Sequence, residues 1–269
     1  MAATALQGPL VDSHAHIWEA DMPYAANAWT RPSYVYTAEQ FLADMQGAGI
    51  QFGVVAAASL FGTYNDYTIR SLRKYRNLRG TAILDPAVDL YTLEAMRADG
   101  IVGTRLMWYM LDPLPDIASE TFQRFCRRLR DLDMHMHLNI EGHRMPPVAR
   151  ALTRTGIKLV IDHFGWHDPA PRLQAQSYQD MLRLMEGGNI WVKLASGFRR
   201  PDRDLPAQYT QDLLARFGAE RLLWGSDSPF VAHEHVATYR SVVEDLHYAV
   251  PDEATRQALG DSAYRFYFS

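Results

Sequence analysis

Short apolar runs alternate along the chain with longer stretches of helical periodicity. The runs are apolar throughout rather than alternating with polar residues, which is typical of strands buried on both faces of a parallel sheet. The predicted strands are Pro9–His14, Phe52–Ala58, Leu78–Leu84, Ile101–Leu106, Met134–Leu138, Lys158–Asp162, Ile190–Leu194 and Leu222–Gly225. The predicted amphipathic helices are Ala38–Ala48, Ser119–Leu132, Met145–Thr155, Tyr178–Glu186, Pro206–Phe217 and His233–Leu246.

Eight strands with intervening helices predict an α/β fold, a closed (β/α)8 or TIM barrel. The length of 269 residues matches one such barrel, so we predict a single domain over residues 1–269. An open doubly wound sheet is the alternative, but no Gly-x-Gly-x-x-Gly follows any predicted strand, which disfavours dinucleotide binding. The segment Met107–Ala118 contains two prolines and is predicted to be a long loop after the fourth strand.

Composition narrows the classes of partner. The formal net charge is −4, which disfavours nucleic acid as the main partner. Cys126 is the only cysteine, so an intrachain disulfide is excluded. No stretch approaches the roughly 18 apolar residues that span a bilayer, and Met1–Gly8 lacks the features of a secretory signal. We therefore expect a cytoplasmic protein with a small-molecule partner, without nucleic acid or membrane, and leave a homo-oligomer open.

Polar residues follow most of the apolar runs. In a parallel barrel the carboxyl ends of the strands carry the active site, so these residues are the candidates for chemistry. The candidates are His14, His16, Ser59, Arg105, His137, His163, Lys193 and Asp227.

Two histidines end the first predicted strand. His14 and His16 are two residues apart, and in extended backbone such residues point to the same face, where both imidazoles reach one ion or one substrate. Taken alone, the pair is equally consistent with hydrogen-bonded structural histidines. His163 and Asp227, each considered singly, fit a structural cap better. Their occurrence at the ends of strands one, six and eight together favours function.

Three segments carry a family resemblance. Val11–Trp18 (VDSHAHIW), Val160–Gly165 (VIDHFG) and Leu222–Pro229 (LLWGSDSP) resemble the amidohydrolase superfamily, and more narrowly its amidohydrolase-2 branch. That branch includes 2-pyrone-4,6-dicarboxylate hydrolases and sugar lactonases. The similarity runs from Val11 to Phe266, and the motifs together are specific for the branch but only weakly specific for substrate.

The resemblance implies hydrolysis of a cyclic ester. Asp227 is then the general base that accepts a proton from the attacking water. His14, His16 and His163 stabilise the developing oxyanion directly, or together with Asp227 hold one divalent metal, zinc or manganese. The pyrone-dicarboxylate group is thought to work without a metal, so the cofactor is either none or one such ion.

The resemblance also suggests residues that bind the substrate. Ala57–Asn65 is similar to the group's strand-two loop, whose serine contacts a substrate carboxylate; this implicates Ser59, with Tyr64 nearby. The corresponding structural role is a hydroxyl bonded to the backbone. His137 is a further substrate-binding candidate. It also leaves a bound metal ion as an alternative, because metal-bearing relatives often use a strand-five ligand.

Arginines predict the charge of the substrate. Arg105 matches the strand-four arginine of the group, and the strand-seven loop ends in Arg199 and Arg200, between which the sequence does not decide. The planar guanidinium suits bidentate binding of a carboxylate, which favours an anionic lactone. Surface salt bridges are the structural alternative.

Two other functions are compatible with the same residues. One is zinc-dependent, non-oxidative decarboxylation of an aromatic or unsaturated acid, which releases carbon dioxide rather than opening a ring. The other is an inactive barrel that binds a small acid. The complete set of histidines with the strand-eight acid favours an enzyme.

Overall fold

The computed structural model describes residues 7–168 and 170–269. Its strands are β1 (Val11–Ala15), β2 (Phe52–Val55), β3 (Leu78–Ala82), β4 (Ile101–Met107), β5 (His135–Asn139), β6 (Leu159–Ile161), β7 (Ile190–Leu194) and β8 (Leu222–Trp224). Its helices are α1 (Ala38–Gly47), α2 (Asp66–Lys74), α3 (Leu90–Ala98), α4 (Glu120–Asp131), α5 (Met145–Thr153), α6 (Gln176–Glu186), α7 (Asp204–Phe217), α8 (Tyr239–Ala249) and α9 (Glu253–Phe268).

The eight strands form one sheet in sequential order, and neighbouring strands are parallel. The first and last strands meet through a parallel bridge between Ala15 and Ser228, and the Asp227 amide donates to the His14 carbonyl at 2.7 Å. Glycine is required at position 225, because a Cβ there would lie 2.5 Å from the Cβ of His14. The predicted (β/α)8 barrel is confirmed. The assignment of residues 1–269 to a single domain stays a prediction.

An apolar layer fills the interior of the barrel. Val11, Val54 and Val160 contribute to a cluster that also contains residues of α9, among them Tyr267. The ring of His135, the first residue of β5, lies 5.3 Å from the ring of Tyr267. Helix α9 therefore packs at the amino ends of the strands and leaves the carboxyl ends for polar side chains.

Helix α8 begins later than the sequence analysis predicts. It starts at Tyr239, where Thr238 and Ser241 form a capping box, rather than at His233. His233 lies in the turn before the helix, where its Nδ1 is 3.0 Å from a guanidinium nitrogen of Arg199. The apolar spacing of this segment extends past the true helix start, which the capping side chains determine.

Helices α2, α3 and α9 are absent from the sequence-based prediction. The buried face of α2 includes Thr68 and Ser71, and Leu93 is the buried residue of α3. Helix α9 buries small residues such as Gly260, where a Cβ would lie 2.5 Å from the backbone nitrogen of residue 10. The small residues on the buried face of α9 weaken the apolar periodicity from which helices are predicted, whereas α2, which also buries Tyr67 and Leu72, keeps an amphipathic pattern.

The predicted loop over residues 107–118 is present between β4 and α4, with Met107 as the last residue of the strand. Within the part of the chain that the structure describes, no helix combines the length and the apolar character needed to cross a membrane.

Candidate active site

The carboxylate of Asp227, just beyond β8, is the centre of a polar cluster. Its Oδ1 lies 3.2 Å from His16 Nε2 and 3.6 Å from His14 Nε2. Its Oδ2 accepts a hydrogen bond from the Ser196 hydroxyl at 2.5 Å and one from Arg199 Nε at 3.3 Å. The structure thus brings both histidines of the first strand to the acid of the eighth.

A bulge in β1 sets the orientation of the two histidines. The pairing with β2 shifts between Asp12 and Ala15, and a bulge of this kind re-aims side chains. The rings of His14 and His16 lie 5.0 Å apart and almost perpendicular. His16 Nδ1 is 2.7 Å from the carbonyl oxygen of Ala56, to which it donates because a carbonyl only accepts, and His16 Nε2 faces the Asp227 carboxylate.

Asp12 supports this arrangement from below. Its Oδ1 accepts from the backbone amides of His14 and Ser226 at 3.1 and 3.0 Å, and its Oδ2 accepts from the Tyr239 hydroxyl at 2.8 Å. Burial raises the pKa of this carboxyl, which is fully enclosed. Asp12 therefore ties β1 to the end of β8 and to helix α8.

A second buried carboxylate, Asp162, lies beneath the histidines. Its Oδ2 accepts from Arg105 Nε at 2.8 Å, and its Oδ1 is 3.6 Å from Lys193 Nζ. Burial disfavours the charged form of Asp162, but the charges of Lys193 and Arg105 outweigh burial and hold its pKa below the usual value. Burial lowers the pKa of Lys193 to about 8, and its ammonium lies 2.8 Å from His14 Nδ1. Burial also lowers the pKa of His14 well below its usual value.

His163 reaches Asp227 through another side chain. Its Nδ1 is 2.7 Å from the Ser196 hydroxyl, and its Nε2 is 3.2 Å from an Nη of Arg105. Burial lowers the pKa of His163 to about 3, so its ring is neutral near pH 7. The structure therefore places His163 in the cluster, with both ring nitrogens in hydrogen bonds.

Two members of the cluster are absent from the predicted site. Asp162 directly follows the apolar strand β6, so the rule that selected His163 applies equally to it. Ser196 lies two residues beyond β7 in the segment that resembles the strand-seven loop, but a small hydroxyl is too common to stand out.

The two arginines after β7 have different environments. Arg199 donates from Nε to Asp227 and from Nη2 to the carbonyl of Val231 at 3.1 Å. Arg200 donates to two carbonyl groups of the loop after β6 and lies over the ring of Trp166 at 5.0 Å. Of the pair, Arg199 is the residue that contacts the carboxylate.

The remaining predicted residues lie in three settings. Arg105 is buried within the cluster, where Nη1 also donates to the carbonyl of residue 57 at 2.9 Å. Ser59 and Tyr64 are half-buried after β2, and no hydrogen bond among the described residues joins either to Asp227. His137 is fully buried; its Nε2 is 2.7 Å from His135 Nδ1. Their predicted role in binding substrate stays a prediction.

The donor set fits one divalent ion. His14, His16 and Asp227 each offer a ligand atom, and these atoms lie within 4.8 Å of one another. His14 Nε2 is buried and has no hydrogen-bond partner among the described residues. Imidazole and carboxylate are ligands that zinc and manganese accept, so these three residues would hold such an ion. A second group, His14, Asp162 and His163, is equally close, but both nitrogens of His163 are already engaged.

Comparisons with known proteins identify relatives of this chain. The chain is 25% identical over 272 residues to a 4-sulfomuconolactone hydrolase of Hydrogenophaga intermedia, covering 95% of this chain and 88% of that protein. It is 22% identical to a D-galactarolactone isomerase of Agrobacterium fabrum over 91% of this chain and 86% of that protein.

Solved structures extend the comparison. A structure from Pseudomonas putida, assigned as a 2-pyrone-4,6-dicarboxylic acid hydrolase, has a TM-score of 0.89 and 30% identity, and covers 97% of both chains. An Acinetobacter baumannii structure with the same assignment and bound citric acid has a TM-score of 0.91 and 25% identity, covering 96% of this chain and 98% of its own. The sequence model described as amidohydrolase matches residues 11–268, which confirms the resemblance noted in the sequence. The chain belongs to this amidohydrolase family.

Proposed function

We propose that this protein hydrolyses a lactone that carries a carboxylate or another anionic group. The observation that carries the proposal is the meeting of the Asp227 carboxylate with two imidazoles, of His14 and His16, at the carboxyl end of the barrel. The names of the relatives support hydrolysis of a cyclic ester, the class of reaction expected from the sequence.

Asp227 is the proposed general base. Burial opposes its ionisation, but a hydrogen bond with His16 and the charge of Arg199 hold its pKa well below the usual range. The carboxylate is therefore ionised at working pH. It accepts a proton from water while the water oxygen attacks the lactone carbonyl carbon. The ring carbon–oxygen bond then breaks, and Asp227 returns the proton to the leaving oxygen, which yields an open-chain hydroxy acid.

Imidazoles stabilise the charge that develops on the carbonyl oxygen. His14 and His16 direct Nε2 toward the reacting region, and His163 supports the base through Ser196. Donors that are already aligned lower the barrier most effectively in a site that excludes water. A divalent ion held by His14, His16 and Asp227 would polarise the carbonyl and lower the pKa of a bound water.

Arg199 is the proposed partner of the substrate's anionic group, with Arg105 as a second candidate. The Arg199 side chain is 18% exposed, whereas that of Arg105 is 3% exposed, so Arg199 is the more accessible to a ligand. We expect Arg199→Gln to raise KM about tenfold for a carboxylate-bearing lactone and much less for a neutral one. Arg200→Gln is the matched control, because Arg200 bonds to backbone carbonyls and its loss lowers Tm instead.

A panel of lactones tests the reaction. Purified protein is incubated with pyrone dicarboxylates, muconolactones and aldonolactones, and acid release is followed in a pH-stat. The expected result is one equivalent of acid for each lactone consumed, and none with Asp227→Asn. Turnover of a carboxylic acid with release of carbon dioxide, and of no lactone, would instead establish the decarboxylase alternative.

The remaining alternatives have weaker support. A 2,6-dihydroxybenzoate decarboxylase shares the fold at 15% identity. A similarity at this level supports a common fold but not a common activity. A barrel that only binds an acid predicts the same ligand affinity for wild type and Asp227→Asn. A cytoplasmic location, a role in aromatic or sugar catabolism and a homo-oligomer stay predictions.

A further inference from the structure

The hydroxyl of Ser196 links His163 to Asp227, and the direction of each hydrogen bond follows from the chemistry of the donors. A guanidinium only donates, so Arg105 donates to His163 Nε2 at 3.2 Å. The neutral ring then carries its proton on Nδ1 and donates to the Ser196 oxygen at 2.7 Å. The serine proton is left for Asp227 Oδ2 at 2.5 Å. The four side chains form a one-way series of donors that ends on the carboxylate.

The backbone at three successive strand ends presents these side chains. His163, Ser196 and Asp227 follow β6, β7 and β8, and their φ angles are 54°, 61° and 59°. A left-handed conformation costs a residue other than glycine on the order of 1–3 kcal/mol, and it persists where the surrounding structure holds it. The same unfavourable conformation at all three positions directs the three side chains into one series.

The series holds one oxygen of Asp227 and leaves the other facing the histidines of β1. Oδ2 is held by Ser196 and Arg199, whereas Oδ1 faces the Nε2 atoms of His14 and His16. We propose that Ser196 is a positioning residue, which fixes the rotation of the Asp227 carboxylate so that Oδ1 receives the proton from water. This inference rests on the proposed lactone hydrolysis.

Two substitutions at position 196 distinguish the role of the hydroxyl from the effect of the side chain on the backbone. Ser196→Ala removes the hydroxyl, and we expect kcat to fall about 10- to 100-fold with KM within twofold. Ser196→Thr keeps the hydroxyl and restores most of kcat, although its β-branched side chain lowers Tm in a left-handed backbone. Ser196→Thr is then expected to have the higher kcat but the lower Tm of the two variants. A purely structural role of Ser196 would not produce this opposite order.

A second serine–histidine pair supplies the matched control. Ser177 Oγ lies 2.9 Å from His167 Nδ1, in a pair that resembles Ser196 and His163 but does not contact Asp227. Ser177→Ala therefore leaves kcat and KM unchanged. An equal fall of kcat in Ser177→Ala and Ser196→Ala, or a kcat of Ser196→Ala within twofold of wild type, overturns the proposal.

Imidazole nitrogen NMR tests the series without any substrate. The expected 15N shifts of His163 show a protonated Nδ1 and an unprotonated Nε2, and the Nδ1–H signal shifts in Ser196→Ala. A His163 ring protonated only on Nε2 overturns the proposed direction of donation. Because this measurement needs no turnover, it stays decisive if the lactone panel gives no activity, in which case the proposed function alone fails.

Discussion

Of the three His-x-His segments in the chain, the two that lie on strands have opposite environments. His14 and His16 on β1 lie next to Asp227, and the His16 side chain is 12% exposed. His135 and His137 on β5 are buried, joined by a 2.7 Å contact between their rings. The ring of His135 stacks on that of Phe266 in α9 at 4.7 Å. The same spacing therefore yields a candidate catalytic pair in one strand and an interior pair in another.

Position along the strand accounts for the difference. His135 is the first residue of β5, at the end of the barrel that α9 covers. His14 is the penultimate residue of β1 and His16 directly follows the strand, so both lie at its carboxyl end. Side chains at the carboxyl ends of parallel strands meet over the barrel, whereas those at the amino ends pack into its base. The location of the motif in its strand predicts its chemistry better than the motif itself.

The largest effect is expected when the carboxylate next to the first histidine pair is removed. Asp227→Asn keeps the size of the side chain but abolishes its ability to accept a proton. We expect kcat for lactone hydrolysis to fall about 10²- to 10⁴-fold, as measured by acid release. Asp133→Asn, which removes a carboxylate from the exposed ion pair with Lys158, is the control and leaves kcat unchanged. Comparable activity in the two variants would remove Asp227 from the reaction.

Substituting one histidine from each pair tests the comparison directly. His16→Asn removes a donor next to Asp227 and is expected to lower kcat about 100-fold, with little change in Tm. His137→Asn removes a ring from between His135 and Asp162, so it is expected to lower the free energy of unfolding by about 1–3 kcal/mol. Its kcat stays within a few-fold of wild type. A tenfold rise in KM for His137→Asn would instead support its predicted role in binding substrate.

The increase in Tm on metal binding also distinguishes the β1 histidine pair from the β5 pair. An ion that binds only the folded protein raises the free energy of unfolding by about 2.7 kcal/mol when its concentration is 100 times its Kd. We apply this to zinc or manganese. We expect the added ion to raise the Tm of wild type and of His137→Asn, but not that of His16→Asn, because His16 belongs to the proposed ligand set. Thermal unfolding with and without a chelator measures this shift. An equal shift in all three proteins would place the ion elsewhere.

The sequence contains enough information for the barrel and for the acid and histidines of the site. Apolar runs mark the strands, and the polar residue that follows a run lies at the carboxyl end of the sheet. This reasoning selects His14, His163 and Asp227, which the structure brings into one cluster. It depends only on chain order and on the general arrangement of parallel barrels.

Other features depend on atomic detail that chain order does not carry. Arg199 and Arg200 are adjacent, and only the short turn after β7 decides which one contacts Asp227. The proposed role of Ser196 depends on the direction in which its hydroxyl donates. This direction follows from the hydrogen bond of Arg105 to His163, and Arg105 is distant in sequence. Helix α9 hides its packing face behind small residues. Such features arise from tertiary contacts.

The smallest effect concerns the pH dependence of stability, to which the interior pair contributes. Burial lowers the pKa of His137 well below its usual value of 6.5, so the folded protein keeps this ring neutral while the unfolded chain takes up a proton. Stability is therefore lost as the pH falls below 6.5. Between pH 7.5 and 5.5, one such histidine costs about 1.4 kcal/mol. Urea unfolding at both pH values should show a dependence smaller by this amount in His137→Asn. An unchanged dependence would mean that His137 is protonated in the folded protein, and the contrast with the β1 pair would then rest on His135 alone.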